Sequence, residues 1–288
     1  MIKKILLILT MCVLTGQLYA QDNETNIAQQ GDNVIINVLQ QGYDNSIDVD
    51  LGLASGDSGN EFEVKQDGND NNVFLSVGGN TNSLSLYQEG AKNSIGWTDT
   101  WGSGVNWGGD LNGNSNNIMI KQYTDTGKNI ADNYFGFHIQ GNNNNVKGGQ
   151  GYYINDSGTY TRSQGWGDNY MRLDIHGDDN NVITTQRTDA ANNGATAYVN
   201  VYADYNDVYV QQRQGSHTLN LTINNDSNDV WITQAGQPAH TSTITLTGAY
   251  PTDLTLQQGV HATTTALTYT LSQNCQIVGG CSISVTQQ

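Results

Sequence analysis

Apolar and polar residues alternate with a period of two along most of this chain. In "FEVKQDGNDNN", residues 62–72, Phe62 and Val64 fall on one side of an extended backbone, and Gln66 falls on the same side. A glycine and a cluster of Asn and Asp follow. The pattern recurs as Ile36/Val38/Gln40, Leu84/Leu86/Gln88 and Val230/Ile232/Gln234. Looser copies are Ile118/Ile120/Gln122, Val182/Thr184/Gln186, Val208/Val210/Gln212, Leu254/Leu256/Gln258 and Ile283/Val285/Gln287. The string Q-x-G-x-x-N occurs at Gln40, Gln66 and Gln88. Alternation predicts strands with one buried face, and the Gly/Asn/Asp clusters predict turns that accept positive φ.

A second strand type lies between these and lacks the glutamine: Ile47/Val49/Leu51, Val73/Leu75/Val77, Leu219/Leu221/Ile223 and Leu267/Tyr269/Leu271. Less regular copies are Phe135/Phe137/Ile139 and Leu173/Ile175. In the best copies, Gln66 to Gln88 and Gln212 to Gln234, the repeat is 22 residues. Short hairpins are not stable alone, so a repeated two-strand unit predicts stacked coils. The expected fold is all-β: a β-solenoid with two strands per rung and roughly nine to ten rungs, each covering the next. Stacking at about 4.8 Å gives each inward glutamine a partner, the glutamine one rung away. The nine expected members of this ladder are Gln40, Gln66, Gln88, Gln122, Gln186, Gln212, Gln234, Gln258 and Gln287. The turn asparagines are expected to stack similarly on the outside. An antiparallel sandwich or barrel would also use many short strands, but it gives no reason for a glutamine at one fixed phase.

Composition narrows the class of partner. The formal net charge is −16, and −18 without Lys3 and Lys4, which argues against nucleic acid or an anionic membrane as the main partner. Residues 1–20 read as a signal peptide, with basic "MIKK", apolar "ILLILTMCVLTG" and expected cleavage after Ala20. Cys12 follows the large Met11, which disfavours lipid attachment. The expectation is a secreted protein whose residues 21–288 form one solenoid domain. Cys275 and Cys281 lie close together around Gly279 and Gly280. In an oxidising compartment they predict a local disulfide rather than a metal site.

Two aromatic-rich segments, near 97–117 and 151–170, break the period and are expected as corner insertions. Trp97, Trp101, Trp107, Tyr152, Tyr153 and Trp166 could stack on sugars, or fold back over the solenoid. Arg172, Asp174 and His176 share an outer strand face, which reads as a solvated face more readily than a catalytic one. "GGDLNGN" and "GDDNN" resemble calcium-binding loops only loosely. Alternating Thr241, Thr243, Thr245 and Thr247 hint at an ice-binding face, but in one region alone. There is no G-x-S-x-G, P-loop or paired Cys/His spacing, so neither enzyme activity nor a cofactor is expected.

The phased N/S-x-x-x-x-x-Q-x-G-x-x-N pattern resembles the curlin repeat family, the subunits of bacterial curli fibres. The match is good over 26–93 and 206–258 and degraded between. The resemblance implies two-strand β-solenoid rungs, export through an outer-membrane pore, and polymerisation as functional amyloid in the biofilm matrix, with itself and a nucleator subunit as partners. Irregular repeats and insertions depart from a major subunit. A different class, a secreted adhesin binding surface glycans through the Trp/Tyr loops, is the competing expectation.

Overall fold

The computed structural model describes residues 24–29, 35–51, 59–96, 109–124, 133–154, 160–162, 169–187, 195–213, 215–236, 239–259 and 265–287. The expected signal peptide, 1–20, and Trp97, Trp101, Trp107 and Trp166 lie outside these residues.

Among the described residues all regular structure is β. The strands are β1 (Glu24–Gln29), β2 (Ile35–Gln41), β3 (Ser46–Leu51), β4 (Glu61–Asn69), β5 (Asn72–Gly78) and β6 (Ser83–Ala91). Next come β7 (Asn93–Ile95), β8 (Gly109–Asn112), β9 (Asn117–Tyr123), β10 (Asn133–Gln140) and β11 (Asn145–Gln150). Then follow β12 (Tyr152–Ile154), β13 (Tyr160–Arg162), β14 (Tyr170–His176), β15 (Asn181–Gln186) and β16 (Asp207–Gln212). The last are β17 (Asp229–Trp231), β18 (Thr241–Gly248), β19 (Thr252–Thr255), β20 (Thr268–Cys275) and β21 (Cys281–Ser284).

The chain alternates between two parallel sheets. One holds ten strands in the order β2-β4-β6-β9-β11-β15-β16-β17-β19-β21, and these carry the glutamines. The other runs β1-β3-β5-β7-β10-β14, with β8 beside β5 and β10. Parallel bridges from Tyr170 through Thr196 and Thr218 to Thr241 continue it toward the β18-β20 pair. A short antiparallel hairpin, β12-β13, forms a sheet of its own, and its Tyr152 and Ile154 are buried. The arrangement is compatible with a β-solenoid.

Alternation dictates the packing. Phe62, Val64, Leu84, Leu86, Ile118 and Ile120 from one sheet and Val73, Val77, Phe135, Phe137 and Ile139 from the other join one buried cluster. Each such residue contributes roughly 1.5–3 kcal/mol by leaving water. The turns are as regular as the strands. Asp70, Lys92, Thr81, Ser115, Asn143 and Asp179 each take φ between 56° and 59°, and an asparagine follows every one.

The first insertion does not leave from a corner. β7 and β8 both pair with β5 on one side and β10 on the other, so 97–108 are inserted within a single strand position. The second begins at a corner, with β12 directly after β11.

Candidate functional site

The inward glutamines answer the question posed by their alternation with apolar residues. Gln66, Gln88, Gln122, Gln150, Gln186, Gln212, Gln234 and Gln258 are fully buried. A buried amide is costly unless bonded, and here all the amide nitrogens but those of Gln186 and Gln212 donate both to a glutamine and to a main-chain carbonyl. Gln66 donates to Gln88 at 2.8 Å, Gln88 to Gln122 at 2.9 Å, Gln122 to Gln150 at 2.7 Å and Gln150 to Gln186 at 2.9 Å. Each also donates to a main-chain carbonyl of the other sheet: Gln88 to Asn72, Gln122 to Ser94, Gln150 to Tyr134 and Gln186 to Tyr170. One side chain thus links neighbouring strands and ties the two sheets together. The carbonyl also fixes which end of the amide is nitrogen, because only nitrogen can donate to it.

The amide chain reverses direction once. Past Gln186 the donors run the other way: Gln234 to Gln212, Gln258 to Gln234 and Gln287 to Gln258, at 2.6–2.9 Å. At the reversal the Gln186 and Gln212 nitrogens turn to the carbonyls of Ala195 and Thr196. At the other end Gln40 donates to Glu24 O and Thr25 Oγ1, and the Gln40 and Gln66 Oε1 atoms accept no bond.

Gln150 is the ladder member that sequence reasoning missed. Its triplet is Val146/Gly148/Gln150, with glycine in an apolar place. The Phe135 ring occupies that space, and a Cβ on Gly148 would lie 2.3 Å from it. The signal was the Val146-to-Gln150 spacing, masked by the glycine. The glycine of Q-x-G also has a physical reason: a Cβ on Gly68 would sit 1.8 Å from the Gly90 carbonyl, and one on Gly90 1.9 Å from that of Thr124.

Turn asparagines stack outside as expected, Asn80 on Asn114 and Asn114 on Asn142, and a further set stacks inside. At one corner Asn60, Asn82, Asn116, Asn144, Asn180, Asn206 and Asn228 are buried, and each later backbone N–H donates to the previous Oδ1. At the other corner Asn45, Asn71, Asn93, Asn133 and Asn169 form a like series. Histidines then take over this corner. The His240 N–H donates to His217 Nδ1 and the Leu267 N–H to His240 Nδ1, with the two rings stacked at 5.1 Å. Burial lowers the His240 pKa, which keeps the ring neutral and its Nδ1 an acceptor.

Among the described residues both ends of the sheets are open edges. β1 and β2 lie at one edge and β20 and β21 at the other. Ile27 and Val38, and Tyr269, Leu271, Ile283 and Val285, pack on the core yet remain only partly buried. Cys275 and Cys281 are joined by a disulfide at the last corner.

The outer faces differ from the expectation in three places. Asp174 is only 1% exposed, while Arg172 and His176 beside it stay partly exposed; Arg172 Nε and Asn200 Nδ2 both donate to Asp174. Tyr152, expected on a binding loop, is buried edge-on against Tyr123, and the Tyr153 side chain lies outside the described ones. Thr241, Thr243 and Thr245 lie in register with Thr268, Thr270 and Ser272, so the hydroxyl array extends beyond one strand. Asp207, Asp229 and Asp253 are also in register, and burial followed by these neighbours raises the Asp229 pKa. Among the described residues no group of three or more His, Cys, Asp or Glu side chains could hold a metal ion.

No known family model matches this chain, and no curated protein resembles it significantly.

Proposed function

We propose that this chain is a secreted, non-enzymatic structural subunit that stacks end to end into curli-like amyloid fibres of an extracellular matrix. In this reading each glutamine-free strand and the glutamine strand after it form one rung of a β-solenoid, with ten rungs in all. The observation that carries it is the pair of open sheet ends with half-covered apolar residues. Unpaired strand edges are templates for further strands. Both ends keep the same inward phase, Ile36/Val38/Gln40 at one and Ile283/Val285/Gln287 at the other, so one end can continue the other's ladder. The contact joins two different surfaces, and such contacts give open filaments unless the rotation closes. The resemblance to curlin repeats agrees with this and adds an export pore and a nucleator as proposed partners.

The test is electron microscopy and fibre diffraction of the purified mature chain at micromolar concentration. Unbranched fibres with a cross-β spacing of about 4.8 Å along the axis are expected. Ile283→Lys with Val285→Glu puts charges on one open end and should shorten or abolish the fibres. A wild-type chain that stays monomeric for days overturns the reading.

A further inference from the structure

We propose that the outer face of β10, β14 and residues 198–202 is a binding groove for an uncharged, linear polysaccharide, running across the strands. This inference is independent of fibre formation, because it concerns a sheet face and not an end.

Two lines of rings flank the groove. On one side Tyr134 and Tyr170 are in register on adjacent strands, and the Tyr170 and Tyr198 rings meet at 5.6 Å. On the other, His138 meets His176 at 4.9 Å and His176 meets Tyr202 at 4.7 Å, all edge to face. Tyr198 and Tyr202 are exposed, at 36% and 41%. Clustered aromatics on a soluble surface mark a binding face, since each offers a flat apolar area at low entropic cost. Successive rings repeat at about the strand spacing, roughly 4.8 Å, a scale comparable to the repeat of sugar rings in an extended glycan.

Between the lines the floor is polar and built. Asp174 is buried there and accepts from Arg172 and Asn200, while His138 Nδ1 pairs with Asp110 at 2.9 Å. Folding does not require a buried carboxylate on a solvent-facing strand, and such a fixed array suits orienting hydroxyl groups. Gly136 leaves a dimple in this floor. A Cβ there would meet nothing within 4 Å, although Gly136 is in register with Arg172 and lies between Tyr134 and His138 in sequence.

Charge decides the class of glycan. The face holds Asp174 and Arg172, with Asp110 at its β8 edge, on a chain of net charge −16. That field repels polyanions and leaves neutral chains indifferent.

The probes are cellohexaose, laminarihexaose and xylohexaose as neutral chains and hexaguluronate as an anionic one, titrated calorimetrically into the full mature chain. Binding of at least one neutral oligosaccharide is expected, with the anionic chain weaker than that one. Gly136→Leu has room, and leucine suits a strand better than glycine, so this variant folds and plugs the dimple. It should weaken binding by about tenfold or more, the effect of blocking an anchor position. Tyr202→Ala should weaken binding too, while Thr243→Val on the distant hydroxyl face should not. No binding to any neutral chain, or Gly136→Leu binding like wild type with unchanged circular dichroism, overturns the proposal. Preference for hexaguluronate overturns it equally.

Discussion

The first six proposed rungs and the last four solve the same packing problem with different chemistry. From Gln66 to Gln186 the amide ladder donates toward the C terminus, and both corners carry buried asparagines. From Gln212 onward the ladder donates the other way, His217 and His240 replace asparagine at one corner, and Thr252 and Cys281 follow Asn228 at the other. An asparagine supplies both donor and acceptor at every step, so its stack is self-complementary whatever the pH. A histidine whose Nδ1 accepts does so only while neutral. The second block therefore keeps the stacked geometry but depends on protonation state, which the first block does not.

The largest expected difference comes from placing a charge in each ladder. Gln88 is fully buried, donates to Gln122 and Asn72, and accepts from Gln66. Glutamate there keeps one donor and faces two acceptors. Gln88→Glu should cost on the order of 3–5 kcal/mol at neutral pH, the scale of an uncompensated buried charge. Gln234 Oε1 accepts from both Gln258 and Ser242, so Gln234→Glu should cost about 1.5–3 kcal/mol less, one charge-assisted bond being worth that much. Gln88→Leu leaves no charge and should be milder than either. Urea unfolding of the three variants checks the order, and equal midpoints for Gln88→Glu and wild type would place Gln88 in solvent.

Acid should separate the blocks next. His240 has a lowered pKa in the fold, so the unfolded chain takes up its proton first. Stability is then lost as pH falls through the unfolded value, about 6.5, and the loss levels off at the lower folded value. Amide exchange between pH 7.5 and 5 should accelerate at 241–248 while 72–78 remain protected. His217→Asn with His240→Asn should remove that difference. Uniform exchange at both places in the wild type would refute the assignment.

The disulfide gives a smaller effect. Cys281 follows Thr252 at the corner that asparagines hold from Asn60 to Asn228. Cross-linking a loop of this length is worth about 2 kcal/mol in the chain-entropy account. Cys275→Ser with Cys281→Ser should lower the unfolding midpoint accordingly and keep the β content by circular dichroism. Loss of all β structure would show that this corner nucleates the rest.

How far these features could be read in advance follows from what alternation encodes. The inward phase of Gln66 or Gln88 is visible because side chains two apart share a face. Gln150 was hidden because Gly148 reports the bulk of Phe135, thirteen residues earlier in sequence. The corner asparagines are visible as turn formers, but their burial comes from neighbours that lie one turn of the chain away. The reversal at Gln186 depends on which carbonyl each amide meets, and no local pattern carries that. Asp174 reads as solvated from its own strand, since Asn200, which donates to it, lies 26 residues further along the chain. The insertion after Gly96 looked like a corner because sequence does not show β7 and β8 as halves of one strand position.

The smallest expected effect lies on the outside of the same two blocks. Asn117, Asn145 and Asn181 stack amide to amide on the first block, at 3.1 and 2.7 Å. The column continues as Asp207, Asp229 and Asp253, where like charges face each other in register. Burial and these neighbours raise the Asp229 pKa. For a carboxylate so raised, the fold is penalised above the folded pKa, and the penalty lifts as pH falls through it. Asp229→Asn should therefore raise the unfolding midpoint slightly at pH 7 and leave it unchanged at pH 3, where Asp229 is protonated anyway. Because Asp229 is only partly desolvated and still reaches water, added salt should shrink the gain. The same gain at pH 3 and pH 7 would mean that strand propensity, not relieved repulsion, accounts for it.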